Sequence, residues 1–251
     1  MPEMNHPNGF SLAIAQDLAG SSALAYEAVI HGQGITVLDV RGLDLRAVVM
    51  RHDDHTEIAI RGTKDARNWV LDFDVLKTHL SYGVRVHDGF LQSADALLPL
   101  VLAELLPSGH GKALMKPLRI TGHSLGGAVA SLIALFLQRE GLPVEAVYTF
   151  ASPRVGNAAW RQIYTTELGQ RSYRVVAAGD LVPLMPGLLD GYRHVGHEIL
   201  LTPQGIFARP PHWWEIMQDS CRVINAINRG DAAFIVKYHS IIGTYLKLLT
   251  Q

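Results

Sequence analysis

The sequence has 251 residues, 48% of them hydrophobic and 18% charged, with a formal net charge of −1. This composition supports a folded protein with a sizeable core and excludes general disorder. A near-neutral charge without a basic block gives no support to nucleic-acid binding. Cys221 is the only cysteine, so no disulfide is expected within the chain.

No targeting or membrane-spanning segment is predicted. The first residues contain no basic region that leads into an apolar one, so no signal peptide is expected. The longest apolar run, 128–137, is shorter than the roughly 18 residues that a membrane span requires. We therefore expect the protein to be cytoplasmic, or exported without a cleaved signal.

Helical and strand-like patterns alternate along the chain. Helices are predicted over 11–30, 64–76, 91–106, 128–137, 156–168, 212–227 and 232–249, and strands over 34–40, 45–50, 56–60, 117–120, 144–150, 172–178 and 192–201. No repeat, low-complexity tract or linker interrupts this alternation. The pattern predicts one α/β domain over 1–251 with a largely parallel sheet.

A Gly-x-Ser-x-Gly motif, Gly122 to Gly126, separates the strand at 117–120 from the apolar helix. In this context the motif forms a nucleophile elbow, a sharp strand-to-helix turn that exposes the hydroxyl of Ser124. The two glycines are needed because neighbouring backbone passes too close to allow a side chain. Ser124 is therefore a candidate nucleophile.

A serine becomes an effective nucleophile when a histidine, oriented by a carboxylate, takes its proton. In α/β folds of this kind the acid and then the histidine follow the serine along the chain. Asp180 is the preferred acid because it follows the strand at 172–178, and Asp190 is the reserve. The residues alone do not select the base among the later histidines, which are His194, His197, His212 and His239.

Several further motifs occur in a fixed order between about residues 57 and 245. They are Ile60-Arg61-Gly62-Thr63, Asn68-Trp69, Val86-His87-Asp88-Gly89-Phe90, Gly122 to Gly127, Thr149 to Asn157, and Gly179-Asp180-Leu181-Val182-Pro183. In this order the set resembles the class 3 lipases, the filamentous-fungal lipase family of α/β-hydrolases. The resemblance implies a mostly parallel central sheet with helices on both faces and a short helical lid.

The resemblance also implies roles for individual residues. Ser124 would be the nucleophile, Asp180 the acid and His239 the base, while His194 would be structural. The family often places a tyrosine three residues after its histidine, whereas the nearest tyrosine here is Tyr245, so His212 stays open as the alternative base.

An oxyanion hole and a lid complete the expected site. The backbone N–H of Leu125, the residue after the nucleophile, is one expected donor, and the resemblance implies Thr63 as the second. Trp69 and Phe73 lie on an apolar stripe of the segment 64–76, which the resemblance implies is a lid that contacts lipid.

The sequence thus predicts a carboxylic ester hydrolase, with triacylglycerol lipase as the preferred activity. A phospholipase A1 or a feruloyl-type esterase is the alternative, and a non-catalytic lipid-binding module is a third possibility. The expected partners are a lipid ester and a lipid–water interface, with no obligate protein partner. No residues have recognised metal-ligand or dinucleotide-binding spacing, so no metal and no cofactor are expected.

Overall fold

The computed structural model of the protein describes residues 9–63, 77–81, 83–106, 115–187, 190–208, 225, 229 and 238–251. Two expected features fall outside this range. They are the lid at 64–76, with Trp69 and Phe73, and the helix over 212–227, with His212, of which only residue 225 is described.

The described strands form a central sheet of eight strands and a separate hairpin. The strands are β1 (Ile35–Val40), β2 (Leu45–Arg51), β3 (Thr56–Ile60), β4 (Lys77–Ser81), β5 (Val84–His87), β6 (Leu118–His123), β7 (Val144–Phe150), β8 (Ser172–Ala177), β9 (His197–Thr202) and β10 (Gly205–Ala208). The sheet order is β1-β2-β3-β6-β7-β8-β9-β10, and β4 pairs with β5. Neighbouring strands from β3 to β9 are parallel, whereas β1, β2 and β10 pair antiparallel. The expected largely parallel sheet is confirmed.

Helices pack against both faces of the sheet. They are α1 (Leu12–Leu24), α2 (Asp88–Leu105), α3 (Leu125–Arg139), α4 (Ala158–Leu168) and a C-terminal π-helix (Ile241–Leu246) that continues as an α-helical turn (Lys247–Leu249). Helices α2, α3 and α4 pack into one apolar core, while α1 and the π-helix pack into a second core with residues of β7, β8 and β9. In the part of the chain that the structure describes, no helix combines the length and apolarity needed to cross a membrane.

Helix α3, which follows the motif, is buried on nearly its whole circumference. It packs on β6 and β7 on one side and on α2 and α4 on the other. A helix that is covered on all sides must be apolar nearly all round, which explains the run of apolar residues, broken only by Ser131, that predicted it. This packing fixes the N-terminus of the helix, where Ser124 lies.

Three predicted elements differ from the structure by more than three residues at one end. Helix α1 stops at Leu24 rather than at residue 30, because the N–H groups of Tyr26 and Glu27 bond three residues back and tighten the last turn. The late strand starts at His197 rather than at residue 192, since Gly196 has a φ of +75°. The closing helix, expected over 232–249, begins after Ser240 in the described residues, and the Ser240 side chain caps it by accepting from the N–H of Gly243.

Candidate active site

Ser124 occupies the turn between β6 and α3 with a φ of 61° and a ψ of −134°, in the left-handed region that side chains disfavour. The glycines on either side explain how this turn is built. A Cβ on Gly122 would lie 2.5 Å from the carbonyl carbon of Gly126. A Cβ on Gly126 would lie 2.7 Å from the carbonyl carbon of Arg61. The motif is therefore a nucleophile elbow, and both glycines are required by close backbone approach, as predicted.

The structure brings Ser124, His239 and Asp180 into one buried chain of hydrogen bonds. The Nε2 of His239 lies 2.8 Å from the Oγ of Ser124. On the other side of the ring, Nδ1 lies 3.0 Å from Oδ2 and 3.2 Å from Oδ1 of Asp180. A carboxylate only accepts hydrogen bonds. The Nδ1 of His239 therefore carries the proton, and its Nε2 presents a lone pair to the serine hydroxyl.

Three other candidates lie elsewhere among the described residues, while His212 lies outside them. His197 is in β9, with its ring 5.9 Å from that of Tyr173, and the ring of His194 lies near the backbone of Pro183. Asp190 belongs to a turn in which its N–H donates to Gly187. The apolar pattern predicted that His239 lies within a helix. It lies instead in a coil before the π-helix.

The backbone before Asp180 and two hydrogen bonds to its carboxylate hold this residue in place. The preceding residue, Gly179, has a φ of +90°, and a Cβ there would lie 2.8 Å from the ring of Tyr238. The N–H of Val182 donates to Oδ1 of Asp180 at 3.0 Å. The hydroxyl of Tyr245 donates to Oδ2 at 2.6 Å. These bonds fix the carboxylate so that it faces the imidazole.

Tyr245 had no assigned role in the sequence. Its hydroxyl also accepts from the N–H of Ala177 at 3.1 Å, so it joins the end of β8 to the carboxylate. Burial, followed by the charge of Asp180, raises the pKa of Tyr245 well above its usual value, which keeps the hydroxyl protonated and donating. The contact between Tyr245 and Asp180 was not predicted, because Tyr245 follows His239 by six residues rather than by three.

Tyr245→Phe is expected to lower the free energy of unfolding by about 1–3 kcal/mol, because a buried carboxylate loses a donor and a buried N–H loses its acceptor. Urea denaturation followed by circular dichroism measures the change. Ile242→Ala is the control, since Ile242 is exposed on the same π-helix and should change stability by less than about 0.5 kcal/mol. Equal stability of Tyr245→Phe and the wild type would contradict the bridging role.

His123 fixes the backbone of His239. Its Nε2 donates to the carbonyl of His239 at 2.7 Å, so its Nδ1 accepts from the hydroxyl of Tyr26 at 2.9 Å. Burial, and secondly the nearby His239, hold the pKa of His123 well below its usual value. A neutral ring at this position places no second charge beside the imidazole of His239.

The expected oxyanion donors lie on the two segments that meet at the elbow. Leu125 is the first residue of α3, so its N–H has no partner within the helix. Thr63 is partly exposed and follows Gly62 beyond the end of β3. A Cβ on Gly62 would lie 2.9 Å from the Cβ of Ser124, so this chain segment runs directly against the nucleophile.

Arg154, from the motif at 149–157, anchors the segment that follows Asp180. Its N–H donates to the carbonyl of Met185 at 2.7 Å, and its guanidinium donates to the carbonyls of Leu184 and Pro186. The side chain is buried. The resemblance assigned no role to this motif. In the structure, Arg154 positions the loop that follows Asp180.

This sheet, elbow and hydrogen-bonded Ser–His–Asp chain define an α/β-hydrolase. The family model described as Lipase (class 3) matches residues 57–189, more than half of the chain, and the chain belongs to this family.

Individual relatives agree with this assignment. The chain is 37% identical over 204 residues to the secreted mono- and diacylglycerol lipase A of Penicillium cyclopium, covering 79% of this chain and 61% of that enzyme. It is 37% identical over 146 residues to the secreted mono- and diacylglycerol lipase 1 of Fusarium solani, covering 57% of this chain and 43% of that enzyme. This chain thus spans less than two thirds of both relatives.

A solved structure is also similar. It is that of a triacylglycerol lipase whose catalytic centre is formed by a serine protease triad, with a TM-score of 0.64 and 28% identity. The match covers 76% of this chain and 80% of that one. The expected α/β-hydrolase fold and the resemblance to fungal lipases are confirmed.

Proposed function

We propose that this protein hydrolyses carboxylic esters of lipids, with Ser124 as nucleophile, His239 as general base and Asp180 as the acid that orients it. The hydrogen-bonded chain from Ser124 through His239 to Asp180 carries the proposal. It supplies the three groups that acyl transfer to serine requires, with the protons on the required atoms.

In the first half of the reaction, the Oγ of Ser124 attacks the ester carbonyl while Nε2 of His239 takes its proton. Nδ1 keeps its proton, and Asp180 stabilises the imidazolium that forms. The negative oxygen of the tetrahedral intermediate accepts hydrogen bonds from the backbone N–H groups of Leu125 and Thr63, each worth about 3–4 kcal/mol. His239 then protonates the leaving alcohol, which leaves the acyl group on Ser124.

In the second half, water attacks the acyl-enzyme. His239 takes a proton from this water, so the same nitrogen serves twice as base. Collapse of the second tetrahedral intermediate breaks the bond to Ser124, and the serine oxygen regains its proton from His239. The products are a fatty acid and free enzyme, and no cofactor takes part in either half.

Acylglycerols are the proposed substrates. The Penicillium and Fusarium relatives are named as mono- and diacylglycerol lipases, and the similar solved structure is of a triacylglycerol lipase. This chain therefore resembles enzymes for partial and for complete acylglycerols. We propose acylglycerol hydrolysis with triacylglycerol as the reference substrate, and phospholipids and feruloyl esters as poorer ones.

Covalent labelling and a substrate panel test the function. An alkyl fluorophosphonate should modify the protein once, and peptide mass spectrometry should locate the label on Ser124. Hydrolysis rates should then be highest for tributyrin, diolein or triolein, and lower for phosphatidylcholine and for methyl ferulate. A label elsewhere, or a highest rate on phosphatidylcholine or methyl ferulate, would overturn the nucleophile or the substrate assignment respectively.

We further propose that residues 64–76 act as a lid that opens at a lipid–water interface. The apolar stripe with Trp69 and Phe73 supports this role, as does its start directly after Thr63. Trp69→Ala is expected to reduce activity on emulsified triolein by about tenfold, since truncating an interfacial tryptophan costs more than about 1 kcal/mol and about 1.4 kcal/mol is tenfold. Activity on dissolved p-nitrophenyl butyrate should change by less than about twofold. Equal rates on both substrates in variant and wild type would exclude the lid contact.

We infer that the protein acts outside the cell that makes it. The relatives from Penicillium and Fusarium are both named as secreted, which supports this inference over a cytoplasmic location. Activity measured in separated medium and cell lysate tests it, and activity confined to the lysate would overturn it.

A further inference from the structure

A cluster of side chains that can bind a metal ion lies at the turn between β2 and β3. His52, His55 and Glu57 have no recognised metal-ligand spacing in the sequence, yet the hairpin brings them together. The last strand pair is Arg51 with Thr56, and the N–H of His52 donates to the carbonyl of His55 at 2.9 Å. The two histidines therefore face each other across the turn, and Glu57 follows His55 by two residues on the same face.

Three potential ligand atoms converge in this cluster. The Nε2 of His55 lies 3.0 Å from the Oε1 of Glu57, and the Nε2 of His52 lies 3.7 Å from the same oxygen. All three atoms lie within 4.8 Å of one another. Tetrahedral ligands held at about 2.0–2.1 Å from zinc are themselves about 3.4 Å apart. The 3.0 Å and 3.7 Å distances from the Oε1 of Glu57 are close to this spacing, and the side chain of His52 is 43% exposed.

Hydrogen bonds from neighbouring groups orient the Nε2 of His55 and the Oε1 of Glu57. The Nδ1 of His55 lies 2.7 Å from a carboxylate oxygen of Asp54 and carries a proton, so Nε2 is the ring nitrogen that can bind a metal ion. This Nε2 lies 3.0 Å from the Oε1 of Glu57, so a metal ion can take the position that a proton occupies between these two atoms. The Oε2 of Glu57 accepts from the hydroxyl of Ser21 in α1 at 2.5 Å, which orients Oε1 toward the histidines. Such carboxylate–histidine and hydroxyl contacts commonly orient zinc ligands.

Arg119 is the positive group that faces the cluster from β6. Its Nη1 lies 3.3 Å from the Nε2 of His55, and its Nε donates to Glu145 at 2.7 Å. The guanidinium thus competes with a metal ion for the lone pair of His55. The bond to Glu145 gives Arg119 a second partner when an ion takes that lone pair.

We propose that His52, His55 and Glu57 bind a divalent transition-metal ion of the zinc type. Two imidazoles and one carboxylate are a ligand set that zinc accepts, with a fourth position for water. The site lies at the opposite end of β3 from Thr63, six residues or about 20 Å away, so it is separate from the hydrolytic chemistry. Its effect is structural, because the ion joins the β2–β3 turn to a carboxylate that is bonded to α1.

Isothermal titration with zinc chloride, after chelation and desalting of the full chain, tests this site. We expect one zinc ion per chain and a thermal midpoint that rises with zinc concentration, because an ion that binds only the folded state stabilises it. His52→Ala should weaken binding by more than about 100-fold, since losing outer partners alone costs about 10–100-fold. Its exposed side chain makes it a substitution that the fold tolerates.

Two comparisons make the result specific. His31→Ala, which removes another exposed histidine, should leave zinc affinity unchanged. Arg119→Gln should tighten binding, because it removes the competing charge. Equal zinc affinity of His52→Ala and the wild type, or no zinc uptake by the wild type, would overturn the proposal. None of these measurements uses ester hydrolysis, so this site and the proposed function can fail independently.

Discussion

Ser124→Ala is expected to lower kcat for ester hydrolysis by about 10⁶-fold, the loss seen when a triad nucleophile is removed. Without Oγ, no acyl-enzyme forms, and His239 retains only the capacity to activate water. Hydrolysis of p-nitrophenyl butyrate, measured with highly purified protein, gives the number. Binding of a non-hydrolysable ether analogue of diacylglycerol should persist, because the change removes one oxygen and no binding surface.

The control for this prediction is Ser131→Ala, another buried serine in the helix that follows the nucleophile. Its hydroxyl donates to the carbonyl of Gly127 at 3.1 Å and contacts no member of the Ser–His–Asp chain. We expect kcat within about threefold of the wild type. Hydrolysis by Ser124→Ala at the rate of this control would rule out Ser124 as the nucleophile, whereas lipid binding without hydrolysis by the wild type would leave a lipid-binding module as the reading of the fold.

Gly126→Ala is expected to destabilise the protein by more than about 4 kcal/mol, the range in which single substitutions become exceptional. The new Cβ would lie 2.7 Å from the carbonyl carbon of Arg61 and 2.8 Å from the nitrogen of Gly62, with the carbonyl oxygen of Ile60 closer still. These are backbone atoms at the end of β3, and they cannot rotate away as a side chain can. Relief requires the strand end, which carries Thr63, to move off the elbow.

Urea denaturation of Gly126→Ala and Gly20→Ala measures this effect against a matched change. Gly20 lies within α1, and a Cβ there would have no neighbour within 4 Å. Alanine should therefore stabilise α1 by up to about 1 kcal/mol through its higher helix propensity. A Gly126→Ala protein within 1 kcal/mol of the wild type would mean that the elbow tolerates a side chain and that the close approach is not required.

Local patterns were sufficient to select Ser124 as the proposed nucleophile and Asp180 as the proposed acid. Ser124 is identified by glycines that its own turn requires, and Asp180 by a strand that ends just before it. Because the carboxyl ends of parallel strands meet at one edge of a sheet, two such local signals predict proximity. The centres of the helices and strands could be predicted because periodicity is also a local signal. Their ends depended on individual backbone features, such as the positive φ of Gly196.

The base and its supporting tyrosine could not be predicted in this way. His239 lies in a coil that the apolar pattern predicted as helix, so only the resemblance to a family selected it as the proposed base. Tyr245 lies in a π-helix, where its N–H bonds five residues back to Ser240. This wider turn changes which residues share a face, and the usual 3.6-residue period no longer applies. The histidine cluster at residue 52 depended on the hairpin register, which the sequence alone leaves open.

The separation of 115 residues between Ser124 and His239 has a consequence for the order of events during synthesis. The elbow, its supporting strand and the acid all lie within the first 180 residues, so the sheet can hold the serine in its strained turn before the base is made. With the roles proposed above, the hydroxyl of Ser124 lacks its base until the segment 238–251 docks, so a nascent or half-folded chain should not hydrolyse esters. The appearance of hydrolysis thus reports the docking of the last segment rather than the formation of the sheet.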